Sequence, residues 1–279
     1  MAMFTNTVGT SGVLPPDYGQ LIVQPLSRDS VAFQVSTVVQ TGSHTFHVPS
    51  VVEDAGAGWI PEGGDIPIDD AVLAETVVTP SKVGGLVVIS RELAMDSTPQ
   101  AAQLVGDGLA RSIVNQIDGA YFGAMAAPAP SGLGALVGFT DVPAGTAWTN
   151  ADAFTTALFA VESLGANIGA FVAHPDTAKV LATLKDATGS NRPLLTADVT
   201  QPTRRVIGGV PLLTSPAVAA GVVWGIPQTR SIVVMRENVQ IETDASLYFA
   251  SDKIAVRAIL RCGFAFPQPA AIAKIHLTA

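Results

Sequence analysis

The 279-residue chain carries 23 acidic against 15 basic side chains, a net charge of −8, and is 48% hydrophobic but only 14% charged. Soluble domains average about 25% charged residues, so a mean hydropathy of +0.40 points to a membrane or to extensive contact with other protein. A spanning helix needs about 18–20 apolar residues; the longest run, Pro216 to Pro227, is shorter and broken by Gly221 and Gly225, which leaves self-association.

The acidic balance also argues against a nucleic-acid reader, which needs a basic patch. A single cysteine, Cys262, excludes a disulfide framework and a cysteine zinc cage. The first charged residue is Asp17 and the first basic one Arg28, so no secretory signal is expected. Length alone suggests one or two domains.

Residues 1–28 are rich in Gly and Pro without periodicity. They read as an extended arm, either a loose tail or a segment lying along a neighbour. From Val31 to Val39 the odd positions are apolar or β-branched, which predicts a half-buried strand. Two β-prone stretches come next, Thr45–Glu53 and Ala71–Val83, joined by a Gly- and Pro-rich connection around Trp59. That connection is too long for a tight turn, and a two-stranded arm is marginal alone. The arm is therefore expected to need a partner surface.

The strongest helix lies beyond this arm. Ser97 or Thr98 can cap it, Pro99 suits its first turn, and Val105, Leu109, Ile113, Ile117 and Tyr121 recur every fourth residue. From Pro99 to Met125 it would run roughly 40 Å, with Pro128 and Pro130 ending it. Asn150 is expected to cap a helix that stops at Gly165, Ile168–Ala173 is a short strand, and Asp176–Lys185 is another helix. Val206–Leu213, Ala217–Trp224, Ser231–Met235 and Val239–Glu242 read as strand pieces. A final strand places Ile254, Val256, Leu260, Cys262, Phe264 and Phe266 on one face and Lys253, Arg257 and Arg261 on the other. The class is α+β with interleaved segments.

No catalytic constellation is present. His44 and His47 fall on opposite faces of a strand, and His174 and His276 stand far from them in sequence, so no zinc site is expected. Gly132-Leu-Gly134 lacks the third glycine of a dinucleotide fingerprint, and no Gly-Lys dipeptide exists for a phosphate loop. Asp69-Asp70 reads as a solvated hairpin base and Cys262 as an inert core thiol. No cofactor and no metal are expected.

Several segments, in order, resemble the major capsid protein of tailed bacteriophages, the Hong Kong 97-like fold. They are Trp59-Ile-Pro-Glu-Gly-Gly-Asp-Ile-Pro67, Ile89-Ser-Arg-Glu-Leu with Asp96-Ser97, and Asp118 near the end of the long helix. Further on come Leu184-Lys-Asp186 with Gly189, Ile207-Gly-Gly-Val-Pro211, the Arg257 to Arg261 strand and Pro269-Ala-Ala-Ile272. The resemblance covers residues 30–279 and implies an N-terminal arm (1–30), a peripheral-domain strand (31–47), an extended loop (48–83) and a peripheral domain with a spine helix (84–128). It continues with an axial domain (129–228), further peripheral strands (229–263) and a C-terminal return to the axial domain (264–279).

The resemblance implies a structural shell protein, not an enzyme, forming hexamers and pentamers of an icosahedral head. The head would enclose double-stranded DNA without sequence-specific contact and have no membrane. Scaffolding, portal and decoration proteins are possible partners, the virion is the expected location, and assembly would occur in the host cytoplasm. Trp59, Pro61, Glu62, Asp65 and Ile66 are the expected intersubunit contacts. Because the resemblance begins so close to Met1, no large N-terminal scaffolding segment is expected to be removed.

Some relatives cross-link a loop lysine to a neighbour with the help of an acid. Here the matching positions hold Ile66 and either Ile259 or Leu260, and Gly42 to Ser81 contains no lysine, so no cross-link is expected. An encapsulin compartment shares the implied fold and is one alternative; an unrelated ligand-binding or enzymatic domain is the other.

Overall fold

The computed structural model describes residues 30–53, 56–61, 63, 70, 72–90, 100–186, 190–197, 205–244, 246 and 248–278. Residues 1–29 of the expected arm over 1–30 and the helix-capping residues Ser97, Thr98 and Pro99 lie outside them. The chain is α+β, and its described residues build two sheets and one separate hairpin.

The stretch expected as one strand from Val31 to Val39 is instead a short helix, α1 (Val31–Val35), continuing into strand β1 (Thr37–Gln40). The cause lies far away in sequence. The buried Asp118 carboxylate accepts hydrogen bonds from Ser30 Oγ (2.6 Å) and from the backbone N–H groups of Val31 and Ala32 (both 3.2 Å). It thus satisfies donors at a helix N-terminus that would otherwise be orphaned. Ala32, Phe33 and Val35 are buried in the turn this creates, so tertiary packing overrides the strand preference of the sequence.

The hairpin is β2 (Phe46–Glu53) against β3 (Val72–Val78), antiparallel. The stretch expected as Ala71–Val83 breaks at Thr79-Pro80, where proline has no N–H for a ladder. The strand after the break, β4 (Ser81–Ser90), belongs to a different sheet.

Helix α2 (Gln100–Phe122) is the expected spine, 23 residues long or about 34 Å. It ends before Met125. Gly132 and Gly134 fold back onto its last turn so closely that a Cβ on Gly132 would sit 1.9 Å from the Ala120 carbonyl. Its buried face, Leu109, Ile113, Val114, Ile117 and Tyr121, covers a four-stranded sheet of order β1-β11-β12-β4, with β11 at Ile232–Asp244 and β12 at Lys253–Ala265. Gly85 on β4 permits this contact, since a Cβ there would meet Leu109 Cδ1 at 2.3 Å.

The two pieces expected at Ser231–Met235 and Val239–Glu242 are one strand, interrupted by irregularities in register between Met235 and Gln240; the extra residues break the alternation that sequence reading relies on. On β12, Leu260, Cys262, Phe264 and the adjoining Phe266 are buried as expected, but Ile254 and Val256 are only half-buried. Tyr121 Oη joins Ser36 Oγ and Ser231 Oγ in a buried hydroxyl triangle of 2.6–2.9 Å, and burial pushes its pKa up to about 12.

The second sheet has seven strands in the order β5-β13-β10-β6-β9-β8-β7. They are β5 (Thr140–Pro143), β6 (Ala170–Ala173), β7 (Thr196–Ala197), β8 (Arg205–Ile207), β9 (Val210–Thr214), β10 (Val222–Ile226) and β13 (Ala273–His276). The expected single piece at Val206–Leu213 turns back at Gly208-Gly209, both at positive φ (58° and 84°), the conformation a two-residue hairpin turn demands. Ala217–Trp224 is mostly turn before β10 begins at Val222.

Helix α3 (Asp152–Glu162) starts with Asn150 Oδ1 accepting from the Asp152 N–H and closes at Gly165, φ 71°. Helix α4 (Pro175–Thr183) is capped by His174, whose Nδ1 accepts from the Asp176 N–H. Both helices cover a second apolar cluster in which Phe154 meets Trp148 and Phe171 at centroid distances of 5.6 and 5.3 Å.

Candidate functional site

Among the described residues the hairpin is rooted in the body only at its base. Val48 and Val78 pack with Val234 and Ala265, and Phe46 and Ile232 lean on them. Gly263 makes room, since a Cβ there would lie 2.5 Å from Val78 Cγ1. Beyond that base the strands lose their support. Val51, Val72, Leu73 (70% exposed) and Val77 stand in solvent, and His47 Nδ1 and Glu75 Oε1 pair at 2.6 Å on the same outward face.

Trp59 is 105% exposed and Pro61 beside it is also exposed. Of the expected contact residues these two share the short described stretch 56–61; Glu62, Asp65 and Ile66 lie outside the described residues, as does Asp69. Burying one tryptophan removes roughly 150–250 Å² from water, on the order of 4–6 kcal/mol at about 25 cal/mol per Å². No other large hydrophobic side chain among the described residues is as exposed as Trp59.

Among the described residues no group of three His, Cys, Asp or Glu could hold a metal ion, and no helix is long and apolar enough to cross a membrane. Three of the four histidines serve local structure: His47 pairs with Glu75, His174 caps α4, and His276 Nε2 meets the Asp141 carboxylate at 3.1 Å. Cys262 is buried and its pKa is pushed up to about 12 by burial. Leu260 is fully buried and Ile259 half-buried, and neither can take a proton.

Sequence reading missed the role of Asp118. Burial raises its carboxyl pKa above 3.8, against the three hydrogen bonds that lower it. The signal was present, because an aspartate next to Ile117 interrupts the apolar face of a helix. The exposed Phe159 on α3 and Val180 on α4 were also missed, because helical periodicity alone does not separate one apolar face from two.

A model of the phage capsid family matches residues 10–277. None of the curated proteins matches the sequence. The fold is similar to that of a chain of Mycobacterium phage Bobi, with a TM-score of 0.72 and 18% identity over 90% of this chain and 91% of that one. A chain of Microbacterium phage Oxtober96 gives 0.72 and 16% identity over 89% and 91%. The capsid of a native GTA particle gives 0.68 and 20% identity over 100% and 95%. The fold is thus the Hong Kong 97-like one, and family and fold are those of structural proteins rather than enzymes. The chain belongs to the phage capsid family.

Proposed function

We propose that this capsid protein forms pentamers and hexamers that close into an icosahedral head around double-stranded DNA, held by non-covalent contacts. The virion is its site of action, with assembly in the host cytoplasm. The hairpin lies over a neighbouring copy, with Trp59, Pro61, Glu62, Asp65 and Ile66 as its contacts. The arm over 1–30 braces adjacent copies. The segments 31–47, 84–128 and 229–263 act as the peripheral domain, 48–83 as the extended loop, and 129–228 with the return 264–279 as the axial domain at the capsomer centre. Portal, scaffolding and decoration proteins are the further partners such a head would use. DNA would be enclosed without sequence-specific contact, since phosphate binding scales with cationic contacts and the chain carries a net charge of −8.

The observation that carries this reading is the hairpin whose outer half, with Trp59 at 105% exposure, lacks a core of its own. Phage neighbours and family membership favour a head over an encapsulin compartment. Electron micrographs and light scattering of purified protein are the test. Closed shells are expected, and a stable monomer under assembly conditions overturns the reading.

A further inference from the structure

The short strap from Ser30 to Ser36 packs on the spine and is held at two points one turn apart along α2. At its start, Asp118 Oδ1 accepts from Ser30 Oγ (2.6 Å) and from the Ala32 N–H, and Oδ2 accepts from the Val31 N–H (both 3.2 Å). At its end, Ser36 Oγ lies 2.9 Å from both Tyr121 Oη and Ser231 Oγ. Between these points Ala32, Phe33 and Val35 are seated in the main core.

The two points differ in kind. The Ser36 end runs straight into β1, whose register with β11 extends from Thr37 with Ile232 to Gln40 with Met235. Thr37 adds a backbone bond to the Ser231 carbonyl (2.8 Å) and a hydroxyl bond to the Gln228 carbonyl (2.9 Å). Neutral hydroxyls and main-chain amides hold this end. The Ser30 end hangs on one ionisable group. A buried carboxylate is unfavourable without a counter-charge, and Asp118 forms no ion pair among the described residues. The strap itself has no titratable side chain. Tyr121 on α2 and Cys262 on β12 stay neutral up to about 12. Arg111, about 10 Å back along α2, and Arg230, just before β11, are both exposed. A neutral acceptor would satisfy the same N–H groups with less loss of hydration; the carboxylate makes the grip depend on a proton.

We propose that the strap is hinged at Ser36 and opens at Ser30, with Asp118 as a clasp that protonation tightens and ionisation loosens. Residues 1–29 continue from Ser30, so the clasp sets the direction in which they leave the body. The sign follows from the surroundings of the carboxyl. Burial raises its docked pKa above 3.8, against the three hydrogen bonds that lower it. A docked strap therefore holds the proton more firmly than a lifted one whose carboxyl is hydrated. The proton's contribution to docking is fully present below 3.8 and is lost as pH rises through the docked value. Protonation of Oδ2 sacrifices only the Val31 contact, because Ser30 and Ala32 both donate to Oδ1.

Residue-resolved hydrogen exchange of the unassembled full-length chain tests the clasp, with each rate corrected for the intrinsic pH dependence of its amide. Protection of the Ala32 N–H should rise as pH falls from neutral toward 3.8, by up to about tenfold per pH unit. Protection from Thr37 to Gln40 should stay constant. Ser30→Ala removes a hydrogen bond that favours the ionised form, so it should move the midpoint of the rise to higher pH. Asp118→Asn should flatten the profile. A flat wild-type profile overturns the proposal, and so does a slope that survives Asp118→Asn. Equal slopes at Ala32 and at residues 37–40 mean that the whole strap lifts, which overturns the hinge. Should Asp118→Asn fail to fold, the wild-type and Ser30→Ala profiles decide the matter: a midpoint that stays in place or falls refutes the clasp.

Discussion

Strands β3 and β6 are made of similar residues and meet opposite fates. Val72–Val78 is mostly exposed along its length, whereas every residue of Ala170–Ala173 is buried between β9 and β10 under α3 and α4. The β-forming residues are therefore not what separates core from interface. The difference is whether the chain itself supplies the second face. For β6 it does. For the hairpin the described residues supply only a footing at Val48 and Val78, and in the proposed assembly a neighbouring copy covers the outer half.

That contrast can be broken most forcefully by asking whether the missing face is bonded or merely packed. With Ile66 in place of a loop lysine and no acid at Ile259 or Leu260, boiling mature particles in detergent should release a single band near 28.6 kDa. A ladder of multiples that survives reductant would overturn the non-covalent reading. Next in size is a crossed pair of substitutions. Phe171→Ala should cost about 3–5 kcal/mol of unfolding free energy, measured by urea denaturation of unassembled protein. Trp59→Ala should change that quantity by less than about 0.5 kcal/mol yet sharply reduce shell yield. Equal effects on folding would erase the distinction between the two regions.

A smaller effect probes the footing of the chain on its spine. Asp118→Ala leaves Ser30 Oγ and two backbone N–H groups without an acceptor and should cost about 2–3 kcal/mol. The pH dependence has a definite sign. The folded pKa lies above the unfolded value of 3.8 because burial disfavours the charged form. Asp118 therefore weakens the fold as pH rises through the folded value, and that loss is regained on acidification toward 3.8. The stability gap between wild type and Asp118→Ala should widen as pH falls from neutral. A gap that narrows contradicts the assignment. Smallest of all, native protein should leave Cys262 unlabelled by iodoacetamide near neutral pH, since its buried thiol titrates only near 12. Rapid labelling without unfolding would mean that the sheet opens.

Local periodicity made much of the fold legible. The apolar residues at every fourth position revealed the spine, Gly165 marked a helix stop, and a core-less Gly- and Pro-rich connection around Trp59 announced the protruding hairpin. The failures share one cause, an interaction partner distant in sequence. Helix α1 depends on a carboxylate 86 residues away, the continuity of β11 depends on register with β12, and the early end of α2 depends on Gly132 returning to its last turn.

The position of the last strand has a consequence in time. Among the described residues β5 is an edge strand paired with β13 alone, in parallel from Thr140 with Ala273 to Pro143 with His276. At about 5–20 residues per second of synthesis, the partner of Thr140 is made roughly 7–27 s later. Until then the sheet has a gap that no earlier segment fills, and Val142 and Phe171 have no Ile275 nearby to finish their shared cluster. A growing chain therefore cannot complete this sheet until residues 273–276 have been made.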